Sequence, residues 1–205
     1  MSKQELETLQ DIRQIMERSS RFISLSGWSG IAAGCCALIG AALAYPIISE
    51  RHISGGFYAA HEMRCLLWLA AATFVAALGL AIFFSYLRAK RLQVPVWGSS
   101  TKRLLWSVAL PLAAGGALLV KMGSLGYFGL LAPGCLLIYG IALFSGSKQT
   151  LSEVKYLGYA QILLGLIGLC FVGNGLLFWT IGFGFFHIIY GIFMWLRHER
   201  KHEKK

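Results

Sequence analysis

His61 and Cys65 stand four residues apart, so a helix beginning near Tyr58 puts both on one face. An imidazole and a thiolate at that spacing suit zinc or copper, with His52 and Glu50 available to complete the ligand set. The segment is no standard zinc signature, and Ser54-Gly55-Gly56 interrupts it; an ordinary loop leading into a helix is the alternative reading. The second chemical group centres on His187, with Gln161, Tyr139 and Tyr190 in apolar surroundings and Asn174 at a turn. Such side chains inside a membrane cost free energy unless paired. They predict either a ligand, haem or proton site, or hydrogen bonds that fix helix packing. No second histidine lies at the depth of His187, which argues against bis-histidine haem.

These groups must be placed by membrane helices. The 205 residues are 57% hydrophobic and 14% charged, far below the quarter charged of a soluble domain. Six apolar stretches approach the roughly 20 residues that span a bilayer: about 22–48, 65–87, 104–120, 125–144, 156–172 and 176–196. Thr150-Leu151-Ser152-Glu153 reads as a capping box opening the fifth. Alternating strand patterns are missing, so the expected fold is all-α: a polytopic six-helix bundle.

Net charge is +10, which in a soluble protein would suggest nucleic acid. Its placement gives a different reading. With the N-terminus inside, sixteen of the 19 Lys and Arg residues fall on inner segments, leaving Arg51, Arg64 and Lys121 outside. The positive-inside rule then places both termini in the cytoplasm. In this frame the segment 50–65 is the one sizeable outer loop. The basic loop 88–103 and the tail 197–205 suit anionic headgroups of the inner leaflet or a cytoplasmic protein partner, and nucleic acid is not expected. His187 lies ten residues before Arg197, roughly 15 Å along a helix and so near mid-membrane.

Residues 1–21 predict a cytoplasmic amphipathic helix, with Leu6, Leu9, Ile12, Ile15 and Met16 opposite Glu7, Asp11, Gln14 and Arg18. Small residues crowd the first span, where Ser26, Gly30 and Gly34, and Cys36, Gly40 and Ala44, recur every four positions. Close approach at such residues supports packing within the chain or a homo-oligomer seam. Pro111 and Pro133 fall within the third and fourth spans and predict bends, either fixed or forming a gate. Leu137-Ile138-Tyr139-Gly140-Ile141 matches Ile188-Ile189-Tyr190-Gly191-Ile192, which suggests that spans three–four and five–six are related hairpins.

All nine acids lie outside the expected membrane core, and Asp11 is the single aspartate. The carboxylates of ion-coupled carriers and the clustered aspartates of magnesium-dependent membrane enzymes are therefore missing from the spans. No nucleotide-binding glycine loop or HExxH motif occurs. An enzyme is the weaker class, and no catalytic residue is assigned.

The runs "MERSSRFISLSG" at 16–27, "STKRLL" at 100–105, "FGLLAPGCLLIYGIALFSGSKQTLSEVKYLG" at 128–158 and "GNGLLFWTIGFGFFHIIYGI" at 173–192 resemble a family of small, uncharacterised six-span bacterial inner-membrane proteins. The resemblance covers most of the chain, more weakly over 45–95, and implies a bacterial plasma-membrane location. It supplies no activity. Members often place a carboxylate where this chain has Gln161, a departure that further weakens an ion-coupled mechanism. The leading expectation is a non-enzymatic sensing, scaffolding or regulatory protein, homo-oligomeric, without cofactor. A small transporter or channel between the two hairpins comes second, and a zinc-, copper- or haem-binding membrane protein third.

Overall fold

The computed structural model describes residues 25–54, 60–93 and 97–199, without the side chains of 50–54 and 60. The expected amphipathic helix at 1–21, residues 200–205 of the basic tail, and the side chains of Glu50 and His52 lie outside the described residues. What is described is helical. We number the helices α1 (Gly27–Ser54), α2 (Ala60–Arg91), α3 (Ser99–Ser124), α4 (Leu131–Gly146), α5 (Val154–Cys170) and α6 (residues 175–199). Five helical segments, with a 3-10 turn merged into α4 and another into α6, are long and apolar enough to cross a membrane; α5 is apolar but shorter, at 17 residues. At 1.5 Å per residue α5 is roughly 25 Å long.

Several boundaries move from their expected places, each for a local reason. The third span is Ser99–Ser124, longer than the apolar run 104–120, because its polar first turn continues the helix. Lys121–Ser124, expected as a turn, is the last turn of α3. The chain reverses at Leu125–Tyr127, where Gly126 takes a φ of +86°, a left-handed conformation that favours glycine. The box at Thr150–Glu153 does not cap α5. That helix starts at Val154 with no side-chain cap, and the Glu153 carboxylate turns to α6 instead.

Pro111 lies inside α3, and Pro46, not singled out from the sequence, lies inside α1. Pro133 is the third residue of α4, in the first turn, where a missing N–H breaks no helical bond. It starts a helix more than it bends one, and it is fully buried against Gly165 and Gly168 of α5.

The packing forms an open row more than a compact bundle. α4 and α5 pair along most of their length, α1 lies along α6, and the start of α6 returns to α4 and α5. α2 rests chiefly on α1, and α3 chiefly on α4. Only 6% of the apolar window in each of these two outer helices is buried, against 28% in α1, so α2 and α3 add surface more than core.

The small residues of α1 act within the chain. A Cβ on Gly30 would come 3.0 Å from the Gly191 Cα, and one on Gly34 would come 2.7 Å from the Gly184 carbonyl, both on α6. Gly40 faces Thr73 of α2. The two matching Tyr-Gly motifs do equivalent work: Gly140 seats α4 against the Gly158 carbonyl of α5, as Gly191 seats α6 against the Gly27 carbonyl of α1. In lipid, where apolar side chains gain little by leaving the solvent, such backbone approach is the main source of helix association.

Candidate functional site

The centre of the row is a polar node built by α4, α5 and α6. Residues 180–186 of α6 form a π-helical stretch, a wider turn found most often as a local bulge at functional positions. At its heart the Gly182 carbonyl accepts two side-chain hydrogen bonds, from Gln161 Nε2 at 2.7 Å and from His187 Nδ1 at 3.0 Å. A carbonyl cannot donate, so Nδ1 carries the proton. In the neutral imidazole Nε2 is then an acceptor, and it lies 2.8 Å from the Tyr139 hydroxyl, which donates to it. Both histidine nitrogens are thereby committed.

Packing closes the node. Gln161 is fully buried and His187 nearly so. The Phe183 ring stacks on His187 with centroids 5.9 Å apart, and the Tyr139 ring lies 5.2 Å from Phe183. A Cβ at Gly182 would fall 2.4 Å from Leu136 Cδ2 and 2.6 Å from Gln161 Oε1, so a residue without a side chain is what lets the amide reach this carbonyl. Gln161 Oε1 itself is buried without a hydrogen-bond partner among the described residues.

Of the residues singled out from sequence, His187, Gln161 and Tyr139 come together. Tyr190 does not join them by a hydrogen bond; its buried hydroxyl has no partner among the described residues. Asn174 stands apart at the turn before α6, beside a groove shared with Tyr45 and Ser49 of α1. The acceptor that organises the node, the Gly182 carbonyl, was not foreseen; its one sequence signal is the run Thr180-Ile181-Gly182-Phe183-Gly184.

His61 and Cys65 do share a face, with the sulfur 3.8 Å from Nδ1 and 3.9 Å from Nε2. Two ligands fall short of the four of a structural zinc site. Among the described residues no group of three His, Cys, Asp or Glu side chains is placed to hold a metal.

Two carboxylates missed as structural groups pin the last turn of α6. Glu199 Oε1 accepts from the Gly27 N–H at 2.7 Å, from Ser26 Oγ at 3.0 Å and from Arg88 Nη1 at 3.0 Å. The same Arg88 nitrogen donates to the Leu25 carbonyl, so one ion pair ties α6 to the starts and ends of α1 and α2. Glu153 receives His198 Nε2 at 3.2 Å and Arg197 Nη1 at 3.4 Å, tying α6 to the start of α5.

Burial alone would raise the Glu153 carboxyl. Hydrogen bonds from its own backbone N–H and from His198, with the charges of His198 and Arg197, outweigh that and hold it below the ordinary value of 4.5. A carboxyl depressed on folding stabilises the folded state above its unfolded pKa and loses that contribution as pH falls through the folded value. The melting-temperature gap between the protein and Glu153→Gln is therefore expected to close as pH falls below 4.5.

Tyr139→Phe is expected to cost about 0.6–2 kcal/mol by stranding His187 Nε2, within the range of membrane hydrogen bonds. Gln161→Met removes one bond and one orphan acceptor together, and should stay within about 1 kcal/mol of neutral. Chemical denaturation in mixed micelles reads both.

The fold and node define an all-α protein with helices compatible with an integral membrane protein and a buried polar clamp at their junction. No family model, curated protein or solved structure matches the chain.

Proposed function

We propose that the protein is a six-span, N-in/C-in integral protein of a bacterial plasma membrane that acts without catalysis, as a scaffold or regulatory platform. The observation that carries this reading is the commitment of both His187 nitrogens inside the protein, to Gly182 and Tyr139. A histidine so engaged has no lone pair left for a metal or haem, and its ring is flanked by those of Phe183 and Tyr139. Two clefts among the described residues, one between α1 and the start of α6 and one between α5 and α6, are lined by neither Pro111 nor Pro133 and by none of His187, Gln161 and Tyr139. α2 and α3 extend the surface through residues such as Trp68, Phe74, Trp106 and Leu110, which are more than half exposed. Those faces are available to lipid, to a second copy or to a partner protein. Reading the short α5 as the fifth span is supported by its packing along α4 and against the start of α6. The positive-inside distribution of charge and the resemblance to small six-span inner-membrane proteins support the topology and location.

The test is a photo-crosslinking residue at Phe74 in native membranes, beside solute and ion flux in vesicles holding the purified protein. Discrete protein adducts with silent vesicles are the expected result. Protein-dependent flux, with lipid adducts alone, would transfer the reading to a transporter.

A further inference from the structure

α5 and α6 diverge towards the charged end of the molecule and leave a cleft of about 330 Å³. Tyr156, Leu157 and Ala160 form one wall, and Phe186, Ile189 and Phe193 the other. The walls are apolar, yet the end of the cleft is charged on both sides. Lys155 Nζ stands 5.7 Å from the centre of the Tyr156 ring, and the Arg197 guanidinium 5.8 Å from that of Phe193. Each cation is thus held over an aromatic ring that itself lines the cleft. Glu153 itself lines the cleft, and its carboxylate is already engaged by Arg197 and His198. One carboxylate against Lys155 and Arg197 leaves the mouth net positive. Tyr190 also lines the cleft, and its buried hydroxyl lacks a partner among the described residues. An apolar slot with cations flanking its mouth matches one chemistry: an apolar chain bearing an anionic head.

We propose that this cleft is a binding site for an anionic phospholipid, with an acyl chain between α5 and α6 and its phosphate between Lys155 and Arg197. Anionic lipids of the inner leaflet supply such a ligand at the face where the positive-inside rule places this mouth. The proposal rests on the chain being membrane-spanning but not on its being a scaffold, and flux or crosslinking results leave it untouched.

The experiment is native mass spectrometry of the detergent-purified full chain titrated with phosphatidylglycerol and, separately, phosphatidylcholine. One phosphatidylglycerol should be retained about tenfold more strongly than phosphatidylcholine. Lys155→Gln combined with Arg197→Gln should abolish that preference, and Ala160→Phe, which fills the slot, should remove the adduct. Tyr190→Phe, which deletes a hydroxyl buried out of reach of the cleft, should leave the adduct unchanged and serves as the control. Equal retention of the two lipids, or an adduct that survives Ala160→Phe, overturns the proposal. If Ala160→Phe fails to fold, the Lys155→Gln and Arg197→Gln double variant decides: an unchanged preference in that variant overturns the proposal equally.

Discussion

Gly191→Ala is expected to unseat α1 from α6 and, together with Gly27→Ala across the same contact, to be among the most destabilising single methyls added to the described residues. The new Cβ would lie 2.6 Å from the Gly27 carbonyl oxygen and 2.6 Å from the Ile31 nitrogen. Both are backbone atoms of a helix, so no side chain can rotate aside. The helices must separate, and the contacts of Gly30 and Gly34 with the same face of α6 loosen with them. Overpacking of an ordinary core costs about 1–3 kcal/mol, and this substitution should reach or pass the top of that range because the clash is rigid. Gly79→Ala and Gly116→Ala are the internal controls. Nothing lies within 4 Å of either new Cβ, so they should be neutral or stabilise by up to about 1 kcal/mol through helix propensity. Thermal melts of the three variants in one detergent make the comparison.

Glu199→Ala should be the most costly change of a single charge. Arg88 has a side chain only 12% exposed and would keep its charge with no counter-ion, while the Gly27 N–H and Ser26 hydroxyl lose their acceptor. Removing one member of a buried pair costs about 3–5 kcal/mol; partial access to solvent here brings the expectation to about 2–3 kcal/mol. Arg88→Met in the Glu199→Ala background should restore part of the loss, since it removes the stranded charge. A double-mutant cycle in denaturant measures the coupling, and independence of the two substitutions would show that the pair ties nothing together.

The helices were legible in the sequence because hydropathy and the positions of Lys and Arg depend only on composition along the chain. Their order in space was not. In lipid the apolar side of a helix gains no free energy by turning inward, so the pattern of α2 and α3 gives no sign that they lie at the edges of a row. The glycine stripe of α1 was visible, but its partner was not, since Gly184 and Gly191 stand among many glycines that make no such contact. In the node the side chains of His187, Gln161 and Tyr139 were readable as polar groups needing partners. Their common acceptor is a backbone carbonyl offered by a π-turn, and residue types do not announce that. Glu153 was legible only as part of a capping box, and Glu199 only as part of the basic tail. They are anchors because the last turn of α6 returns to the ends of α1, α2 and α5, a long-range fact. Tyr190 repeats Tyr139 in sequence but meets no histidine, because α6 itself carries His187.

The central claim is that the node is sealed within the protein and serves as a clamp. A single cysteine at Phe183, with Cys35, Cys36, Cys65, Cys135 and Cys170 replaced by alanine, tests it most directly. Membrane-impermeant thiol reagents are applied to each side in turn, with a cysteine at the exposed Asn174 as the reactive control. The expected result is labelling at 174 and none at 183 from either side until the protein is denatured. Labelling at 183 in the folded protein would mean that water reaches His187, and the clamp would give way to a conducting path.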